Sequence, residues 1–156
     1  MTTVTMAFLT VGFLTLTALA SAEDYNGHGY AYFGGLGGEI SATMTAGAGG
    51  ERFLYKGLAA GADIGGAFGN SYFGLLSVNP AYHFTNRDRA RGIVPFVTGG
   101  YSLAFPYGGL NLFNYGGGAT WWFKEKLGIR FEIRDHRDKR FEEIQFVAFR
   151  IGIAFR

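Results

Sequence analysis

Beyond about residue 25, large apolar side chains alternate with small or polar ones through most of the chain. The last segment shows this most plainly. Val147, Phe149, Ile151, Ile153 and Phe155 share one parity; Ala148, Arg150, Gly152 and Ala154 share the other. Side chains alternate faces along a strand, so the spacing predicts a strand with one greasy face and one small, polar face. Turn signals divide the chain into strands at Gly27–Leu36, Ser41–Gly50, Lys56–Phe68, Ser71–Phe84, Ile93–Phe105, Leu110–Phe123, Leu127–His136 and Ile144–Phe155. The separators are Gly37-Gly38-Glu39, Glu51 to Tyr55, Gly69-Asn70, Thr85 to Gly92, Pro106 to Gly109, Lys124-Glu125-Lys126 and Arg137 to Glu143. No segment has helical periodicity and no linker interrupts the run, so one all-β domain built as a hairpin meander is predicted.

The same contrast recurs from strand to strand. Leu58, Ala60, Ala62, Ile64 and Phe68 oppose Ala59, Gly61, Asp63, Gly65 and Ala67. Val97, Tyr101, Leu103 and Phe105 oppose Thr98, Gly100 and Ser102, and Ile129, Phe131 and Ile133 oppose Arg130, Glu132, Arg134 and His136. Two meander architectures accommodate this: a soluble barrel with its apolar face inward around a ligand, or a membrane barrel with that face outward. The small face separates them. As the water-facing side of a soluble barrel it would be crowded with Lys, Glu, Asp and Gln. Here it is mostly Gly, Ala, Ser and Thr, and much of the charge lies in separators such as Arg87 to Arg91 and Arg137 to Glu143. The interior of an eight-stranded barrel is just wide enough for side chains to fill, so small residues suit it.

Aromatic placement points the same way. With the termini at the periplasmic side, even-numbered strands end there in Tyr82/Phe84, Trp121/Phe123 and Phe155, all of outward parity. At the opposite interface Phe68, Tyr72, Phe105 and Phe113 also take outward parity. Amphipathic rings collect at headgroup level in membrane barrels, so two aromatic girdles are expected.

Composition fits this picture. Gly reaches 26 residues with aromatics at 17%, a pairing that disfavours helices, whose interiors Gly weakens. Net charge is only +2, which gives no electrostatic footprint for nucleic acid, and the absence of Cys excludes disulfides and thiolate metal sites. Met6 to Ala20 is an uncharged apolar run followed by Ala20-Ser21-Ala22, so residues 1–22 read as a signal peptide cleaved after Ala22, with the barrel domain at residues 23–156. No Lys or Arg precedes Met6, a departure from the usual leader. The rival reading, a membrane anchor, has to cross with a run shorter than the roughly 20 residues a spanning helix needs.

Six charged side chains take the inward parity: Glu51, Asp63 and Glu132 against Arg130, Arg134 and Arg150. Unpaired charge inside a narrow barrel is very costly, so a salt-bridged interior plug is expected, with Glu132 the first candidate partner for Arg150. The alternative is a polar channel lining. No catalytic, cofactor or metal site is expected: His28, His83 and His136 lack ligand spacing, and the Gly clusters lack a dinucleotide fingerprint.

On these residues the chain resembles the small outer-membrane β-barrel proteins of the OmpA/OmpX type. That superfamily ends in a strand carrying a polar-x-Gly-x-x-aromatic assembly signal, matched by Arg150, Gly152 and Phe155; Arg156, following the aromatic, departs from it. The resemblance implies an eight-stranded antiparallel up-and-down transmembrane barrel preceded by a cleavable signal peptide. It also implies a location in the cell outer membrane of a Gram-negative cell, insertion by the outer-membrane assembly machinery and contact with outer-membrane lipids. A monomer is expected. A structural or interaction role leads, ahead of a small pore or carrier for hydrophobic compounds. A lipid A-modifying enzyme is the third reading. An outer-membrane lipid A deacylase family uses a His-x-Ser pair, but the position matching that serine after His136 is Asp138.

Overall fold

The computed structural model describes residues 26–38, 40, 42–84, 91–105, 109–138 and 144–156. The expected signal peptide, its cleavage after Ala22 and most of the Thr85–Gly92 connection lie outside the described residues. The strands are β1 (Gly27–Gly38), β2 (Ala42–Tyr55), β3 (Leu58–Gly69), β4 (Phe73–His83), β5 (Gly92–Phe105), β6 (Leu110–Trp122), β7 (Leu127–Asp138) and β8 (Gln145–Phe155). Each pairs antiparallel with the next, and β8 returns to β1, closing the barrel. Closure leaves no sheet edge with unpaired backbone groups. Among the described residues, no helix is long and apolar enough to cross a membrane.

The strands are strongly staggered. Following partners from Gly29 through Gly50, Ala62, Val78, Tyr101, Phe113 and Arg137 leads to Gln145, whose neighbour Phe146 pairs with Gly38. One circuit therefore climbs nearly the whole length of β1. This stagger sets the strand tilt and brings residues distant in sequence to one height in the lumen.

Several predicted boundaries are corrected; Gly37 and Gly38, read as a separator, are the end of β1. Glu51 to Tyr55 is not a separator but the end of β2, and the turn is Lys56-Gly57. Both turn residues have positive φ, 38° at Lys56 and 87° at Gly57, as a tight two-residue hairpin requires. Lys rarely takes that conformation, so the turn carries no strong sequence signal. β7 also runs two residues beyond its predicted end at His136, to Asp138.

Burial follows the predicted alternation. In β8 Ala148, Arg150, Gly152 and Ala154 are buried, whereas Phe149 and Ile153 are exposed. In β7 Arg130, Glu132, Arg134 and His136 are buried, whereas Phe131 and Ile133 are exposed. Around the outside, Phe33, Leu76, Val97, Phe113 and Phe131 add to a continuous apolar surface. Pro80 fits within β4 because the β4–β5 ladder skips it between Val78↔Tyr101 and Ala81↔Thr98. There the Thr98 hydroxyl donates to the Pro80 carbonyl at 3.1 Å.

The inner face departs from the prediction of uniformly small residues. It also holds Tyr30, Tyr32, Leu75, Phe96, Leu112, Trp122 and Phe146, all buried. Inward glycines make the room: a Cβ at Gly47 or Gly65 would lie 2.6 or 2.4 Å from the Tyr32 hydroxyl. Large residues on some strands thus fill the space that small residues on others leave.

Candidate functional site

The barrel interior is layered along its axis. At the end where the termini emerge, His28, Trp122, His83 and Phe96 form an aromatic layer, with His28 edge-on to Trp122 at 5.6 Å and His83 tilted against Phe96 at 5.4 Å. At the far end Leu75, Ala104, Leu112 and Phe146 form an apolar cluster, with Leu36 and Phe73 packed against it. Just inside that cluster His136 stacks on Phe146, ring centroids 4.6 Å apart and planes 8° from parallel. A neutral polar group follows: Ser77 and Ser102 share a hydrogen bond of 2.8 Å, and Asn114 Nδ2 donates to Ser102 Oγ at 2.7 Å.

Between these layers lie the six predicted inward charges, joined in one network; Asp138, also inward and buried, lies towards the far end beside Leu112. Arg130 Nη2 is 2.7 Å from Glu51 Oε1, and its Nε is 3.2 Å from Glu132 Oε2. Arg134 Nη2 is 2.5 Å from Glu132 Oε1, and its Nη1 is 2.8 Å from Asp63 Oδ2. Arg150 Nη1 is 3.4 Å from Asp63 Oδ1 and 3.7 Å from Glu132 Oε1. Glu132 is thus a partner of Arg150, as the adjacent register Glu132↔Arg150 suggests, but Asp63 is nearer. Asp63 reaches Arg150 and Arg134 across the lumen from β3, a contact that neighbouring-strand reasoning does not supply.

Every one of these six side chains is almost wholly buried. Charge balances, three carboxylates against three guanidiniums; neutral groups meet part of the remaining polar capacity, while Arg134 Nε and Arg150 Nε find no hydrogen-bond partner among the described residues. Tyr32 Oη donates to Asp63 at 3.4 Å and Asn79 Nδ2 donates to it at 3.2 Å. His83 Nε2 donates to Glu51 at 2.6 Å, because a carboxylate only accepts, and Arg130 Nη1 donates to His28 Nε2 at 3.2 Å. The guanidinium of Arg130 lies 4.4 Å from the Tyr30 ring and 3.8 Å from the Phe96 ring, and that of Arg150 lies 4.5 Å from Tyr32. Rings against planar cations add attraction where water is excluded. Breaking such a network strands a buried charge, which is far costlier than the pair's net worth.

Sequence reasoning placed no role on His28, Tyr30, Tyr32 or Asn79. His28, Tyr30 and Tyr32 share one parity, which was the available signal, but tyrosine suits either face of a barrel wall. Among the described residues no group of His and carboxylate side chains is arranged to hold a metal ion.

The predicted girdle residues fall at the terminal end of the barrel. Tyr82, Phe84, Trp121 and Phe123 are exposed on the outer wall at the terminal end, with ring centroids 5.2 Å apart for Tyr82–Phe84 and 6.1 Å for Trp121–Phe123. Phe155 is half-buried at the same end, paired with Gly29 and Leu127. Arg150 and Gly152 are inward on β8. Arg156 folds back on the β6–β7 turn. Its guanidinium lies 4.1 Å from the Trp122 ring and its Nε donates to the Glu125 carbonyl at 2.9 Å.

One polar group interrupts the outer wall. Asp135, of outward parity near the far end of β7, accepts from Tyr115 Oη at 2.6 Å, from Arg137 Nε at 2.7 Å and from Gln145 Nε2 at 3.2 Å. Tyr101 Oη donates to Asn111 Oδ1 on the same side of the barrel. His136 points the other way and is fully buried.

No protein-family model and no curated protein matches the sequence. Solved structures do. The N-terminal β-barrel domain of Pseudomonas aeruginosa OprF superimposes with a TM-score of 0.67 at 19% identity, covering 83% of this chain and 96% of that one. Neisserial surface protein A gives 0.59 at 8% identity, covering 83% and 94%. The outer membrane enzyme PagL gives 0.51 at 13% identity, covering 83% and 99%. The chain has the fold of the small, closed, eight-stranded outer-membrane barrels.

Proposed function

We propose that this chain is an outer-membrane β-barrel whose interior is closed by a salt-bridged plug and whose role is structural or interactive at the cell envelope. The observation that carries the reading is the inversion of the two faces. Six inward charges lie in a balanced, buried network, while the outer wall exposes Phe33, Ile93, Phe131, Ile133 and Phe149. Water solvates such a wall poorly and hydrocarbon solvates it well. The aromatic end groups suit the two headgroup regions, and the polar cluster around Asp135 lies towards one of them. Partners on this reading are outer-membrane lipids and the assembly machinery, with Arg150, Gly152 and Phe155 as the assembly signal.

A pore is disfavoured by the filled lumen. A lipid-modifying enzyme built on His136 is disfavoured by that ring's burial inside the barrel, out of reach of a lipid on the outer wall.

The test has two steps. Cells expressing the chain are fractionated, and the product is run on gels with and without boiling. It is expected in the outer-membrane fraction with a heat-dependent mobility shift; a freely soluble product without a shift refutes the reading. Liposomes holding the purified barrel should then resist swelling in small sugars, and rapid permeation would exclude the plug.

A further inference from the structure

The outer wall is not uniformly bulky. Over β2 and β3 it sinks into an apolar groove of about 600 Å³, within the roughly 300–1,000 Å³ range of small-ligand sites. Its floor is made by outward-facing Ala48, Gly50, Ala60 and Ala62, with Gly50 directly opposite Ala62 across the ladder. Ile64 and Leu76, paired across β3 and β4, close the groove towards the middle of the wall. Phe155 forms its flank from β8, on the far side of Gly29. At the terminal end lies Arg52, exposed and opposite Ala60. The Arg52 side chain has no ion-pair or hydrogen-bond partner among the described residues.

This combination selects one kind of occupant. Much of the wall presents large side chains such as Val97, Phe113, Phe131 and Phe149; here small residues lie side by side on two strands and the backbone itself is approachable, as in close-packed membrane contacts. A groove that is apolar along its length and cationic at one end matches an amphiphile with a single apolar tail in the groove and an anionic head beside Arg52. The head falls towards the terminal end of the wall, where Arg52 pairs with Gly27 and where Trp121 and Phe123 also lie. A guanidinium there makes forked, charge-assisted hydrogen bonds to a phosphate. A second copy of the barrel fits less well, since its wall is convex and bulky.

We propose that the β2–β3 groove binds one anionic phospholipid of the leaflet facing the chain termini, one acyl chain against Ala48, Gly50, Ala60 and Ala62 and the phosphate on Arg52. The inference rests on the membrane-barrel reading above. It is tested on the purified full-length barrel in detergent, supplied with dioleoyl phosphatidylglycerol or dioleoyl phosphatidylcholine and weighed by native mass spectrometry. One retained phosphatidylglycerol per barrel is expected, in preference to phosphatidylcholine. Ala62→Phe fills the groove from a position already facing lipid, and should lower retention about tenfold. Ile133→Phe, on the opposite wall, should leave it unchanged. Arg52→Gln should abolish the preference for phosphatidylglycerol while sparing phosphatidylcholine. Equal retention by the parent chain and Ala62→Phe overturns the site, and so does a dimer mass that Ala62→Phe abolishes, which would give the groove to a second copy. Each sample is also run boiled and unboiled. A preserved mobility shift with no lipid retained refutes the groove alone, whereas its absence in the parent refutes the membrane-barrel reading.

Discussion

The two faces of β7 lie a single backbone apart and obey opposite rules. Inward, Arg130, Glu132 and Arg134 are nearly fully buried; Arg130 and Arg134 are held by Glu51 and Asp63 from other strands, and Glu132 sits between the two arginines. Outward, Phe131 and Ile133 are half exposed. On the inner face a charge is tolerated because it is paired, and it becomes costly when a partner is lost. On the outer face an apolar side chain is favoured because of what surrounds the barrel, and a charge is costly according to its depth. The lesson is that charge on this strand is read by neighbours on one side and by solvent on the other.

That contrast breaks most sharply at Asp63. Asp63→Ala leaves Arg134 and Arg150 short of a carboxylate, so a loss of about 3–5 kcal/mol is expected. Urea unfolding in lipid vesicles, followed through Trp121 and Trp122, measures it; a loss under 1 kcal/mol would show that the inner charges are solvated rather than paired. Next comes Ile133→Arg, near the middle of the outer wall, with an expected cost of about 2–4 kcal/mol in the same assay. No cost would mean that this face meets water. Tyr32→Phe deletes one neutral donor to Asp63 and should cost about 1 kcal/mol, a measure of how far the phenol supports the ion network. The smallest effect is expected for Arg156→Ala, about 0.5 kcal/mol, because its ring contact and carbonyl bond lie at the open end of the barrel. A loss as large as that of Asp63→Ala would instead make the terminal latch part of the core.

The division of faces was legible because it is written in a period of two, and a one-residue error would have turned Arg130, Glu132 and Arg134 towards the apolar side. Strand number and order were legible for the same reason. Three things were not. The Lys56-Gly57 turn hides in a residue that seldom takes positive φ, which is why Glu51 to Tyr55 read as a connection. Tyr30 and Tyr32 carry chemistry that suits either wall; their placement is fixed by Gly47, Gly49 and Gly65 on other strands, whose missing side chains make room for them. The partners of Asp63 depend on the stagger of the whole barrel, which no local pattern encodes. The inner charges as a set were therefore visible in the chain, and their wiring was not.

The pairing of β1 with β8 has a consequence for how the molecule comes apart. Arg150 lies on β8, and Glu51 and Asp63 lie on β2 and β3, so the network straddles the junction between first and last strands. Until that junction zips, Glu51 on β2 and Asp63 on β3 are held on the opposite margin of an open sheet from the guanidiniums on β7 and β8, which keep only Glu132 beside them. The pairs that cross it, Arg130–Glu51, Arg134–Asp63 and Arg150–Asp63, thus form as the barrel closes and are surrendered when that junction opens, whereas the pairs of Glu132 stay within β7 and β8. Interactions that arrive after the transition state slow unfolding without speeding folding. The charged core acts as a clasp, giving the closed barrel a long lifetime beyond whatever it adds to equilibrium stability.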